Sequence, residues 1–179
     1  MNKAEPATEL FLGPVLEKDS DTLFEVINDR AVVLYNNTYG PTHEMNHKRW
    51  FSSIGSDPYR RIFAIRINHA TTGELAGMCQ LVNINPVNRS AELQIRLLPS
   101  FWDKGLGGKA VHKLLHHAFN DLNLNRVYLY VFESNIRATK LYEKVGFVHE
   151  GLLRQSEYID GKYLSLVVMG LLRDEYTIQ

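Results

Sequence analysis

Two hydrophobic periods alternate along this chain, and each change of period marks an element. "ELFLGPV" is a short apolar run suited to an edge strand, where Pro14 removes no needed ladder hydrogen bond. In "DSDTLFEVIND", Leu23, Phe24 and Ile27 fall at helical spacing behind Asp and Ser capping residues, which predicts an amphipathic helix. Gly40-Pro41 then breaks the chain, and Thr42 can cap a second helix that buries Trp50 and Phe51. From there the period becomes two. "RIFAIRI" and "ELAGMCQLVNI" read as a hairpin about the turn "TTG", and "RSAELQIRLL" follows the turn "NPVN" as a third strand. In that strand Glu92, Gln94 and Arg96 share one face while Leu93, Ile95 and Leu97 share the other.

After Gly105 the helical period returns, with Leu106, Ala110, Leu114 and Phe119 in one stripe widened by Val111, Leu115 and Ala118. "RVYLYVF" is nearly continuously apolar, as expected of a central buried strand. "NIRATKLYEKVG" predicts a short helix closed by Gly146 in a left-handed C-cap, and Asp160-Gly161 predicts the turn of a closing hairpin. The order predicts an α+β fold: one mostly antiparallel mixed sheet flanked by about four helices, with a crossover through the central helix.

At 179 residues this amounts to a single domain over 1–179. Twenty basic residues balance twenty acidic ones, which argues against a protein held to nucleic acid mainly by phosphate contacts. The lone cysteine, Cys79, excludes an internal disulfide and reads as a small buried side chain. No apolar run has membrane-spanning length and "MNKAEPATEL" lacks the apolar stretch of a signal peptide, so a cytoplasmic, membrane-free protein is expected.

Two stretches carry candidate chemistry. "HEMNH", His43 to His47, has the zinc-protease spacing H-E-x-x-H. His43 would open a fraying helix start, the HxxGxxH continuation is absent, and Glu74 falls in a turn; the expectation is a solvated helix face and no metal. "LLPSFWDKGLGGKAV" passes from strand through glycines into a helix. Gly105, Gly107 and Gly108 let an anion approach the unpaired N–H groups of the helix start, and Lys104 and Lys109 add positive charge. The spacing is neither a dinucleotide fingerprint nor a P-loop.

"WDKGLGGKA" followed by "FNDLNLNRVYLYVFESNIRATKLYEKVGF" resembles the GNAT superfamily of acetyl-CoA-dependent N-acetyltransferases. The family's cofactor loop, Q/R-x-x-G-x-G/A, falls on Trp102 to Gly107. Its second run, N-x-x-A-x-x-x-Y-x-x-x-G-F, falls on Asn135, Ala138, Tyr142, Gly146 and Phe147. Within the superfamily the chain is similar to the branch of spermidine, ribosomal-protein N-terminal and amino-sugar acetyltransferases. Trp102 departs from the usual Gln or Arg and Asp103 from the branch's usual Gly, which puts a carboxylate beside the expected pyrophosphate unless it points away or pairs with a lysine.

The resemblance implies a sheet splayed at the cofactor site and direct attack of a primary amine on acetyl-CoA, with no metal. Backbone groups of Ile95, Arg96 and Leu97 would hold pantetheine, and the loop Trp102, Asp103, Lys104, Gly105, Leu106, Gly107 and Gly108 the pyrophosphate, with Asn135 opposite. Tyr142 matches the general acid and Glu92 a base acting directly or through water. The helices between the first two strands would wall the acceptor site, making Tyr35, Tyr39, Glu44 and Trp50 candidates to meet the amine, with Gln94 and Arg96 orienting it. His149 is a further candidate there, while His112 and His116 are expected on the solvated side of their helix. The acceptor would be a polyamine, an amino sugar or a peptide amine, and a homodimer is compatible with the family's late hairpin. The alternatives are a protein N-terminal acetyltransferase and a non-catalytic acyl-CoA sensor.

Overall fold

The computed structural model describes residues 9–33 and 40–177. Tyr35 and Tyr39 lie outside the described residues. The elements are β1 (Leu10–Gly13), α1 (Ser20–Asn28), the single turn α2 (Arg30–Val33), α3 (Glu44–Ser52), β2 (Arg61–Ile67), β3 (Glu74–Asn85), β4 (Ser90–Leu97), α4 (Leu106–His116), β5 (Arg126–Phe132), α5 (Ile136–Val145), β6 (Val148–Ile159) and β7 (Lys162–Leu172). The strands form one seven-stranded sheet in the order β1-β2-β3-β4-β5-β7-β6. Every neighbouring pair is antiparallel except β4 and β5, which the α4 crossover joins in parallel.

Packing follows the periods. The stripe on α4 and the turn after it is buried throughout, from Leu106 to Phe119, against the sheet face carrying Cys79, Leu81, Leu93, Val127 and Leu129. Each fully buried leucine or phenylalanine contributes roughly 1.5–3 kcal/mol, so this helix fixes the centre of the sheet. Gly107 lets α4 approach α5: a Cβ there would stand 2.9 Å from Leu141 Cδ1. The opposite face carries Met78 and Gln80 and is covered by α1 and α3. Gly146 closes α5 at φ 114°, and Asp160 and Gly161 turn the last hairpin with positive φ, 52° and 78°.

Four expectations need correction. Thr42 does not cap α3; His43 occupies the cap position without a side-chain bond, and Thr42 is tied to Asn28, whose Oδ1 accepts from the Thr42 N–H at 2.8 Å. The buried residue of α3 is His47, at 3% exposure, whereas Trp50 and Phe51 are half-buried. "HEMNH" is therefore a solvated face except at its last residue, because His47 reaches back to α1 and packs on Phe24 at 5.2 Å. Finally, β5 alternates as far as Val131: Val127, Leu129 and Val131 are buried, but Tyr130 is 44% exposed and Tyr128 half-buried, since α4 covers one face only; Phe132 is buried on the second face, against Ile159 and Leu166.

Candidate active site

The pairing of β4 with β5 runs from Ser90↔Arg126 to Glu92↔Tyr128 and stops there. Beyond it both strands continue, to Leu97 and Phe132, without each other. The gap between them is a groove of about 990 Å³, at the upper end of the range for small-molecule sites. Because the groove passes between strands rather than over a face, both sets of β4 side chains line it: Leu93, Ile95 and Leu97 with Glu92, Gln94 and Arg96.

One wall is the start of α4. Gly105 takes the cap position at φ 71°, and no side chain caps the helix, so the first amides of Leu106, Gly107 and Gly108 face the groove without an intrahelical partner. At Gly108 a Cβ would meet nothing within 4 Å, which leaves open space above the backbone. Trp102 and Asp103 also line this end. The Trp102 Nε1–H donates to the Leu97 carbonyl at 2.9 Å, pinning the loop to the end of β4. Asp103 pairs with an arginine and not a lysine: Arg137 reaches its carboxylate at 3.4 Å and lies 4.4 Å from the centroid of the Trp102 ring. The carboxylate that departs from the family pattern thus has its own counter-charge, supplied by α5. Lys104 is turned away, its ammonium 5.3 Å from the centroid of Phe101, and does not line the groove.

The other wall is α5. Asn135 caps it, its side-chain oxygen accepting the Ala138 N–H at 3.2 Å, and the residue lines the groove. Tyr142 lines it too, at 8% exposure, edge-to-face with Phe147 at 5.7 Å. Burial pushes its phenol up to about 12, so it stays protonated throughout the neutral range. Across β4, Glu92 accepts from Gln94 Nε2 at 2.6 Å and from Asn83 Nδ2 at 3.0 Å, while Gln94 Oε1 accepts from Gln80 Nε2 at 2.6 Å. These side chains form one oriented chain that delivers amide donors to the Glu92 carboxylate. The Arg96 guanidinium is pulled down by burial and lines both the groove and a smaller lobe of about 150 Å³ between α1, α3 and β3.

Among the acceptor-side candidates, Trp50 lines that small lobe. Glu44 does not line either cavity; it stands in the first turn of α3 and is paired with Lys48 in solvent. His149 likewise faces solvent, 2.8 Å from Glu143. His116 is exposed, but His112 is half-buried, lines the groove and stacks on Tyr176, because the chain end folds back over α4. Sequence reasoning missed the basic residues Arg137, Lys140 and Lys144 on the groove wall, although their spacing puts all three on one face of α5. Among the described residues no group of three His, Cys, Asp or Glu side chains gathers for a metal.

The chain matches the family described as Acetyltransferase (GNAT) domain over residues 9–148. A curated spermidine N(1)-acetyltransferase of Vibrio cholerae is 38% identical over 102 residues, 57% of this chain and 59% of that protein. Its Escherichia coli counterpart is 38% identical over 104 residues, 58% of this chain and 56% of that protein. The chain therefore spans less than two thirds of the length of these curated relatives. Among solved structures, the V. cholerae spermidine N-acetyltransferase in complex with CoA and spermine superposes with a TM-score of 0.84 at 29% identity, over 93% of this chain and 97% of that one. A dodecameric structure of that enzyme matches with a TM-score of 0.78 at 28% identity, over 92% of this chain and 94% of that one.

Proposed function

The chain belongs to the acetyltransferase (GNAT) domain family, and from that premise we propose that it transfers the acetyl group of acetyl-CoA to a primary amine of a small molecule, a polyamine or an amino sugar. The observation that carries the reading is the end of β4–β5 pairing at Glu92 and Tyr128. It opens a groove lined on one side by the uncapped start of α4 and on the other by the buried Tyr142.

The residues fit acetyl-CoA as the acyl donor. A diphosphate suits the free amides of Leu106 to Gly108, and the cations of Lys109, Arg137, Lys140 and Lys144 suit its phosphates. The unpaired edges of β4 and β5 offer backbone groups around Ile95 to an extended amide arm, while the Leu97 carbonyl already accepts from Trp102. In the reaction the amine nitrogen bonds to the thioester carbonyl carbon, the C–S bond breaks, and the departing sulfur takes the Tyr142 proton. Glu92, oriented by Gln94 and Asn83, takes the proton lost from the ammonium, directly or through water. Asn135 stands at the junction of β5 and α5 to meet the donor from the far side.

Asp103 tempers the phosphate end. Replacing it with Asn frees Arg137 and removes a negative charge, so the KM for acetyl-CoA should fall by about two- to fivefold with kcat little changed. Steady-state kinetics at two salt concentrations reads this, and the gain should shrink at high salt.

Relatives support the substrate class and the assembly: the matched enzymes act on spermidine, and one is dodecameric. A homo-oligomer follows as part of the proposal. Among the described residues no helix is long and apolar enough to cross a membrane, and the free, buried Cys79 suits a reducing cytoplasm. The test is free-thiol release from acetyl-CoA against spermidine, amino sugars, a nucleotide-linked amino sugar and peptides with free N-termini. Release with one class identifies the acceptor. Silence across the panel, with acetyl-CoA still bound by folded protein, would return the weight to a non-catalytic acyl-CoA sensor.

A further inference from the structure

The groove passes through the sheet, and its two sides differ in chemistry. α4 and α5 pack together on the face of β5 that carries Val127, Leu129 and Val131, so Lys109, Arg137, Lys140 and Lys144 line the groove from that side. The other face of β5 carries Tyr128, Tyr130 and Phe132. Glu92 and Gln94 alternate with the buried Leu93 of β4 and share this second face. Phe132 is closed off against Ile159 and Leu166. Tyr130 is left open: it lines the groove at 44% exposure.

The ring is held in place. It meets Tyr128 edge-on at 5.8 Å and 82°, and the Arg126 guanidinium lies 5.5 Å from the centroid of the Tyr128 ring. Tyr128 pairs in register with Glu92. Burial, and then the charge of Glu92, push the Tyr128 phenol up, so the carboxylate acts on this tyrosine pair. Two positions further on the ladder has ended, and Gln94 and Tyr130 stand on either side of the gap. The base and an open ring therefore flank one mouth of the groove. A carboxylate and the negative face of a ring both favour a cation. An alkyl amine arrives as one at neutral pH, since an ammonium such as that of lysine titrates near about 10.4. Arg96 and Glu157 also line the groove, one charge of each sign, and leave its net charge unchanged.

We infer that Tyr130 is an acceptor-binding residue: its ring receives the ammonium of the incoming amine at the mouth opposite α4 and α5, beside Glu92, which then takes the proton. The inference rests on the acetyl-transfer reading for the role of Glu92, and it holds for a polyamine as for an amino sugar. The cation exists before the proton is lost and not during the attack, so the ring contributes to acceptor binding more than to turnover.

Steady-state thiol release by the full chain tests it in Tyr130→Leu and Tyr130→Phe, with acetyl-CoA varied in one series and spermidine or glucosamine in the other. Leucine keeps an apolar wall and loses the ring; phenylalanine keeps the ring and loses only the hydroxyl. Tyr130→Leu is expected to raise the acceptor KM about 3- to 30-fold, with smaller changes in kcat and in the KM for acetyl-CoA. Tyr130→Phe is expected to restore most of that loss. Circular dichroism checks that both variants fold, as the exposure of the site leads one to expect. An acceptor KM unchanged in Tyr130→Leu, an equal loss in Tyr130→Phe, or a larger change in the KM for acetyl-CoA overturns the assignment. Calorimetric titration with the same two amines separates the two readings. If neither amine releases thiol, acetyl transfer to this class fails, and binding about 3- to 30-fold tighter to the wild type than to Tyr130→Leu still upholds Tyr130. Equal or absent binding then overturns Tyr130 as well. Thiol release whose acceptor KM ignores Tyr130→Leu upholds acetyl transfer and overturns Tyr130.

Discussion

Replacing Tyr142 with Phe should lower turnover roughly 10²- to 10⁴-fold, the usual contribution of a positioned general acid, while acetyl-CoA binding changes little. The substitution removes one oxygen from a side chain at 8% exposure and keeps its edge-to-face contact with Phe147. Packing is therefore preserved, and a loss of turnover reports on the proton. A second readout is independent of catalysis. Burial holds the Tyr142 phenol at about 12, whereas an unfolded tyrosine titrates near about 10. Between those values the folded chain keeps a proton that the unfolded chain has lost, so stability falls as pH rises through that window and is fully present below it. The two-unit difference corresponds to about 2–3 kcal/mol. Tyr142→Phe should remove that part of the alkaline decline, measured as denaturation midpoints at pH 8, 10 and 11. A variant with wild-type turnover but the flattened alkaline decline would leave Tyr142 a core residue and no acid.

Asp19→Ala should destabilise the protein by about 3–5 kcal/mol, a large part of the ~5–15 kcal/mol that holds a domain folded. Asp19 and Arg66 are ion-paired at 3% and 1% exposure, in front of α1. Arg66 also donates to the Gly73 carbonyl at 3.1 Å, and the Asp19 carboxylate accepts the Leu16 N–H at 2.7 Å. Removing the carboxylate strands a guanidinium in the interior and frees the chain that leads into α1. Urea denaturation of Asp19→Ala and of the double variant Asp19→Leu/Arg66→Met distinguishes a stranded charge from lost packing. The double variant should recover most of the stability, because no unpaired charge remains. A double variant as unstable as Asp19→Ala would mean that shape, and not charge, governs this site.

The site was legible to different depths in different places. Glu92, Gln94 and Arg96 could be assigned to one face of β4 from alternation alone, because a strand's side-chain period is a local property. The α4 stripe and the glycine caps were legible for the same reason. His47 was not. Nothing in "HEMNHKRWF" says which polar residue is buried, because the decision lies with the Ser20 carbonyl and Phe24 on another helix. Glu44 looked as well placed as Trp50 in the sequence, and the turn of α3 separated them, sending one to solvent and the other into the lobe.

Asp103 shows the same division at the phosphate end. In sequence it is an acidic intrusion into an anion site; in three dimensions Arg137, from the far side of β5, supplies its counter-charge and stacks on Trp102. The local periods by themselves determined most of the elements, the sheet-facing sides of β4 and α4, and the glycine-opened start of α4, since these depend on dihedral preference and on burial of the nearest apolar side chains; they misplaced the buried side of α3 and the exposed face of β5. Tertiary structure alone decided where the β4–β5 ladder ends, which histidine is enclosed, and which charge meets which. Those outcomes depend on contacts between segments far apart along the chain, and no local pattern encodes the distance between them.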